Sequence, residues 1–249
     1  MNWAPAPWSV AGAPVAGDRM RDDAWIWDRL APVPDDVAAH IAEGGLTPCA
    51  IDATDRPLFV AAGHVIRLAP DLSAIVERRV TTVHRLAADP GYDVSHSEPI
   101  WRDRIFVSVP ERSDDIGALR LAESVIHEAM HLHLTLCEME TPLVTIGAAY
   151  LRSPWRPEPR PASGVLHGLF VFQCLDAWLA RVTSTLRAAE QTYAAERRTC
   201  IAGEVAQIDR TALEAELTPA GRELTARLLA QVSRPRRHEP GVRECPRLI

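Results

Sequence analysis

From Asp71 to Ala88 the apolar residues Leu72, Ile75, Val76, Val80, Val83 and Leu86 fall at helical spacing, which predicts one helix stopped by Asp89-Pro90-Gly91. A longer helix is predicted over about Asp114 to Cys137, with Ser113-Asp114-Asp115 as its N-cap and acidic first turn. Its apolar positions make two flanks, one through Leu121, Val125, Ala129, Leu132 and Leu136, the other through Leu119, Ile126, Met130 and Leu134. A helix apolar on most sides belongs in the middle of a domain. A third apolar helix is expected from Gly164 to about Ala188 with Ser163 as cap. Amphipathic helix follows from Ala189 to Val232, with Thr218-Pro219 as a cap and first-turn pair. Shorter helices are predicted at Met20 to Leu30, carrying Trp25 and Trp27, and at Asp36 to Glu43, ended by Gly44-Gly45. Leu58 to Ile66, β-rich and interrupted by Gly63, reads as a strand or hairpin. Ile105 to Val109 reads as a strand closed by Pro110. Ser153 to Pro161 holds four prolines and is expected as an extended loop.

The pattern defines a mainly α (α+β) protein: a single helical domain, residues 36–232, around a buried central helix with small β elements. An irregular segment, 1–35, rich in Ala, Pro and Trp, precedes it, and a basic, proline-containing tail, 233–249, is expected to be disordered.

Composition narrows the setting. The chain has 249 residues, 47% apolar and 24% charged, enough for a sizeable core without disulfide staples. Its five cysteines are spread without a CxxC pair, which fits reduced thiols in a cytoplasm. The N-terminus lacks a basic start followed by an apolar core, so no signal peptide is expected. The longest apolar stretch, Gly164 to Leu175, is broken by His, Gly and Gln, short of the roughly 20 apolar residues of a membrane span. A net charge of -6, with arginine as the sole strong base, argues against a nucleic-acid partner.

The central helix carries His127-Glu128-Ala129-Met130-His131. Positions i and i+4 lie one above the other, so both imidazoles can reach one divalent ion while Glu128 points about 100° around the axis. Two apolar flanks make a solvated pair of histidines the poorer reading, since buried imidazoles without partners are costly. Glu128 is open to three roles: general base, direct ligand, or hydrogen-bond partner of a ligand. Glu123, one turn earlier, is either a partner of a ligand ring or a solvated carboxylate, and His133 is expected at the surface or behind a ligand. The third ligand separates the chemistries. Leu134 and Cys137 stand where a metzincin would place glycine and histidine, and neither Glu190 nor Glu196 sits in a convincing acidic motif for a thermolysin-like site. His167, at the start of the next apolar helix, is the best remaining candidate. Arg156 and Arg160 precede it in Ser153-Pro154-Trp155-Arg156-Pro157-Glu158-Pro159-Arg160-Pro161, where proline-stiffened guanidiniums and a helix N-terminus favour a carboxylate. Trp155, Tyr150 and Phe170 are candidates for shaping the pocket.

Taken together, His127-Glu128-Ala129-Met130-His131, the proline-arginine loop and Gly164-Val165-Leu166-His167-Gly168-Leu169-Phe170-Val171-Phe172 resemble the HExxH-motif peptide-modification family, over about Ala118 to Leu179. Members are iron(II)- and 2-oxoglutarate-dependent β-hydroxylases of ribosomally made peptides, and their fold is not the double-stranded β-helix of other such oxygenases. The resemblance implies iron(II) on His127, His131 and His167, with Glu128 as fallback ligand. It also implies 2-oxoglutarate gripped by Arg156 or Arg160, O₂ as oxidant and a peptide substrate, with or without a leader. The competing readings are a zinc peptidase with Glu128 as general base and a non-catalytic peptide- or metal-binding relative.

Overall fold

The computed structural model describes residues 23–111 and 114–230; the expectations for residues 1–22, Arg112, Ser113 and the segment from 231 onward lie outside these. Two 3-10 turns, Asp23–Trp25 and Trp27–Arg29, open the described chain. They are followed by α1 (Asp35–Glu43), α2 (Arg56–Arg67), α3 (Pro70–Arg79), β1 (Thr82–Leu86), β2 (Ser95–His96) and β3 (Arg104–Ser108). Then come α4 (Gly117–Glu140), β4 (Tyr150–Leu151), β5 (Arg160–Pro161), α5 (Ala162–Val182), α6 (Ala188–Val205), α7 (Arg210–Ala215) and α8 (Pro219–Ala230). The protein is thus mainly α with two small sheets among the described residues. β3 sits between β1, to which it is parallel, and β2, to which it is antiparallel; β4 and β5 form an antiparallel pair.

α4 runs through the centre, packed by α2 and α3 on one side, α5 on another, and the three-stranded sheet on a third. Leu119, Leu121, Val125, Ile126, Ala129, Met130 and Leu134 on both its flanks are fully buried, as its two-sided apolar pattern requires. The helix starts three residues later than predicted, at Gly117, and runs on to Glu140, where Thr141 turns extended before Pro142. α5 is its apolar neighbour. It begins at Ala162 directly after Pro161, with no side-chain cap from Ser163. The segment Ala162–Thr185 has the length and hydropathy of a membrane span, and 67% of its most apolar 18-residue window is buried inside the protein. Here that apolarity serves a core.

Three expectations are corrected. Leu58 to Ile66 is the body of α2, not a strand: Pro57 lies in the helix's first turn, and Phe59, Ala62, Gly63 and Ile66 are buried at helical spacing. Gly63 is no break; its carbonyl accepts the Trp25 indole N–H at 3.5 Å. Second, the helix from Asp71 ends at Arg79, and Thr82 to Leu86 is β1. The β-branched run Val80-Thr81-Thr82-Val83 goes extended and pairs with β3, while Val83 and Leu86 stay buried, so their spacing suited either structure. Third, in place of the short helix expected over Met20 to Leu30, the described residues form two 3-10 turns, and Trp25 and Ile26 there belong to the main core against α2. The stretch from Ala189, expected to be helical, is α6, α7 and α8 over the described residues. Thr218 Oγ1 does accept the amide of Gly221 at the head of α8, as a cap should.

Candidate metal centre

His127 and His131 face one cavity of about 400 Å³ from successive turns of α4. Their Nε2 atoms are 3.2 Å apart. α5 brings His167 to the same cavity, its Nδ1 3.4 Å from Nδ1 of His131, with the two rings stacked at 15°. The other nitrogen of His167 lies 2.7 Å from Glu138 Oε2, about two turns beyond His131 on α4. A carboxylate on the far nitrogen fixes a ring's orientation. The chain of contacts therefore runs His127, His131, His167, Glu138, joining α4 to α5.

Burial holds the pKa of His127 below, and that of His131 well below, the ordinary imidazole value. For His131 the neighbouring His127 and His167 act in the same direction; for His127 the carboxylates Glu128 and Glu123 partly oppose burial. Both rings are therefore neutral at pH 7, the form in which imidazole donates to a metal. In kind, the donor set suits a divalent cation. In arrangement, His127 and His131 turn the same nitrogen toward each other, whereas His167 meets His131 at its other nitrogen. Among the described residues no group of three or more His, Cys, Asp or Glu side chains converges to hold an ion in these ring orientations. His127 Nδ1 is buried without a hydrogen-bond partner.

Glu128 lines the cavity but is only 4% exposed. Ser95 Oγ donates to its Oε1 at 2.6 Å and Ser97 Oγ to its Oε2 at 2.5 Å, so both carboxylate oxygens are engaged. Its Oε1 is 3.9 Å from His127 Nε2. The serines belong to a wall, Ser95-His96-Ser97-Glu98-Pro99, that sequence reasoning missed. In it Glu98 lies between His96 and His40, at 2.9 and 3.0 Å.

Opposite stands the proline-rich loop. Arg156 and Arg160 both line the cavity, and neither guanidinium makes an ion pair among the described residues. Arg160 leaves β5 and folds back over the first turn of α5, its Nε 3.2 Å from where a Cβ on Gly164 would lie. Trp155 stacks on Phe172 (centroids 5.0 Å apart), and Phe172 meets His127 edge-on at 5.3 Å. Tyr150 is largely exposed and Phe170 packs in the core beside His133, so neither shapes this cavity.

The expectation for Glu123 is overturned, and for His133 the surface alternative falls. Glu123 is neither solvated nor bonded to a ligand ring: it is 1% exposed and accepts Arg197 Nε at 2.5 Å and the Tyr193 hydroxyl at 2.7 Å. His133 is buried rather than at the surface, and Arg79 Nε donates to its Nδ1. Glu190 caps α6 through Arg187 and does not line the cavity.

Fold and site together define a helical protein with a histidine-rich, arginine-rimmed cavity on its central helix. No protein-family model matches the chain, and no curated protein matches it.

Proposed function

We propose that the protein is an iron(II)- and 2-oxoglutarate-dependent oxygenase that β-hydroxylates a residue of a ribosomally synthesised peptide in the reducing cytoplasm. The observation that carries this reading is the presence of two uncommitted guanidiniums, Arg156 and Arg160, on the same cavity as His127, His131 and His167. A cavity with cationic donors on one side and neutral nitrogen donors on the other suits a small dianionic acid beside a metal. When bound, iron(II) with 2-oxoglutarate and O₂ supplies an oxidant able to attack an unactivated C–H bond.

The chain's own contribution is binding, orientation and exclusion. His127, His131 and His167 would hold the metal, with Glu128 in reserve. Glu138 orients His167, and burial keeps the α4 imidazoles unprotonated. Arg156 and Arg160 would take the co-substrate's carboxylates, and stacked Trp155 and Phe172 keep water from one side of the cavity.

One observation favours a second reading. Glu128 borders the cavity next to the histidine pair, the place a zinc peptidase gives its general base. Its two serine donors weigh against that role, because both oxygens already accept hydrogen bonds. Calorimetric titration of the iron(II)-loaded protein with 2-oxoglutarate decides between them. Oxygenase chemistry requires binding that weakens at least about tenfold in Arg156→Ala/Arg160→Ala, the loss of roughly one charge-assisted hydrogen bond. No heat of binding in the parent protein would remove the reading.

A further inference from the structure

Trp155 is more than an apolar wall. Its indole Nε1 donates to Glu204 Oε2 at 3.0 Å, forty-nine residues away on α6. Its ring lies so close over α5 that a Cβ on Gly168 would overlap it. Gly168 follows His167 directly, and Arg156 follows Trp155 directly. One side chain therefore ties the proline-rich loop to α5, which lines the cavity, and to α6 behind it. Its seat is prepared from beneath. Arg197, 2% exposed and paired with Glu123, places its guanidinium 5.2 Å from the centre of the Phe172 ring, on which Trp155 stacks. Burial raises the Glu204 pKa, with Arg197 and the indole N–H opposing it. Ser153 Oγ accepts the backbone amide of Trp155, turning the loop toward the seat.

We propose that Trp155 is a latch: its bond to Glu204 and its seat on Gly168 hold the loop in register, so that Arg156 and Arg160 face the cavity. Pairing of β5 with β4 through Leu151 and Arg160 holds the far end of the loop, and the prolines at 154, 157, 159 and 161 leave little chain entropy to be lost between that pairing and the Trp155 anchor. Trp155 and Glu204 are positioning residues; neither needs to touch a reacting atom. The role in co-substrate binding rests on the oxygenase reading, whereas the latch itself does not.

The test separates the two. Amide hydrogen exchange is measured on the whole protein for Glu204→Leu, which removes the acceptor, Glu204→Gln, which keeps one, and Trp155→Phe, which keeps the stacked ring but not the N–H. The latch predicts about tenfold faster exchange at the residue-155 amide, which is bonded to Ser153 Oγ, in Glu204→Leu and Trp155→Phe, near-parent exchange in Glu204→Gln, and unchanged protection in α4 and α5. Unchanged loop exchange in Glu204→Leu overturns the proposal. So does a rise spread through α4 and α5, which would make Glu204 a general packing residue. With 2-oxoglutarate as probe, Glu204→Leu is expected to bind about tenfold more weakly with iron(II) affinity unchanged. A parent protein that ignores 2-oxoglutarate defeats the oxygenase reading alone, since the exchange data still decide the latch.

Discussion

Removing Arg197 tests whether the buried knot beneath the cavity holds α6 against α4. Arg197 and Glu123 are 2% and 1% exposed, their charged atoms are 2.5 Å apart, and the Tyr193 hydroxyl is a second donor to the same carboxylate. In Arg197→Met the aliphatic volume is largely kept, but Glu123 is left as a buried carboxylate with one hydroxyl for company. Breaking a buried pair in this way costs about 3–5 kcal/mol, most of it the stranded charge rather than the lost attraction. For a chain of this size that corresponds to a fall in Tm of about 6–20 °C, at roughly 2–4 °C per kcal/mol. The double variant Arg197→Met/Glu123→Leu removes the stranded charge and should regain most of the loss. Urea unfolding of the parent, the single and the double variant, followed by circular dichroism, reads all three values. A single variant within about 1 kcal/mol of the parent would refute the reasoning, as would a double variant no better than the single.

Two further outcomes follow from the same geometry. His127 and His131 have folded pKa values below the unfolded one, so as pH falls through about 6.5 the unfolded chain takes up protons that the folded chain does not. Their contribution is present above that pH and lost below it: the metal-free protein should have a lower urea midpoint at pH about 5.5 than at about 7.5, and His127→Phe/His131→Phe should flatten the difference. An unaltered pH dependence in the double variant would contradict the assignment. At Gly221 a Cβ would overlap the backbone carbonyl of Leu143, whereas at Gly203 it meets open space. Gly221→Ala should lose about 1–3 kcal/mol in the same assay and Gly203→Ala should gain about 0.5–1 kcal/mol; equal effects would contradict the packing of α8 against the 142–144 segment.

What could be read from the sequence was whatever a local period or spacing encodes. The i, i+4 histidines announce one face of one helix, and the two apolar flanks of α4 announce burial on either side. The nearness in sequence of the proline loop to His167 let Arg156 and Arg160 be placed with the same cavity. Period failed where two structures share a spacing: Val83 and Leu86 satisfied a helix that the sheet overrode, and the β-rich residues of α2 were recruited into a helix by burial. The wall Ser95-His96-Ser97-Glu98 left only the weak signal of four polar, chemistry-bearing residues between Val94 and Pro99, because its role depends on β2 pairing with β3 across the sheet. Glu123 with Arg197, and Trp155 with Glu204, lie 74 and 49 residues apart. Such pairs have no local signature, and a lone glutamate in a helix then reads as solvated.

The most direct test of the oxygenase reading is an anaerobic titration of the iron(II)-reconstituted protein with 2-oxoglutarate, followed by visible absorption. The account predicts a charge-transfer band that needs both components, disappears in His167→Ala, and requires a higher 2-oxoglutarate concentration in Arg156→Ala/Arg160→Ala. Tight zinc binding with no band and no response to 2-oxoglutarate would contradict it and turn attention to Glu128 as a hydrolytic base.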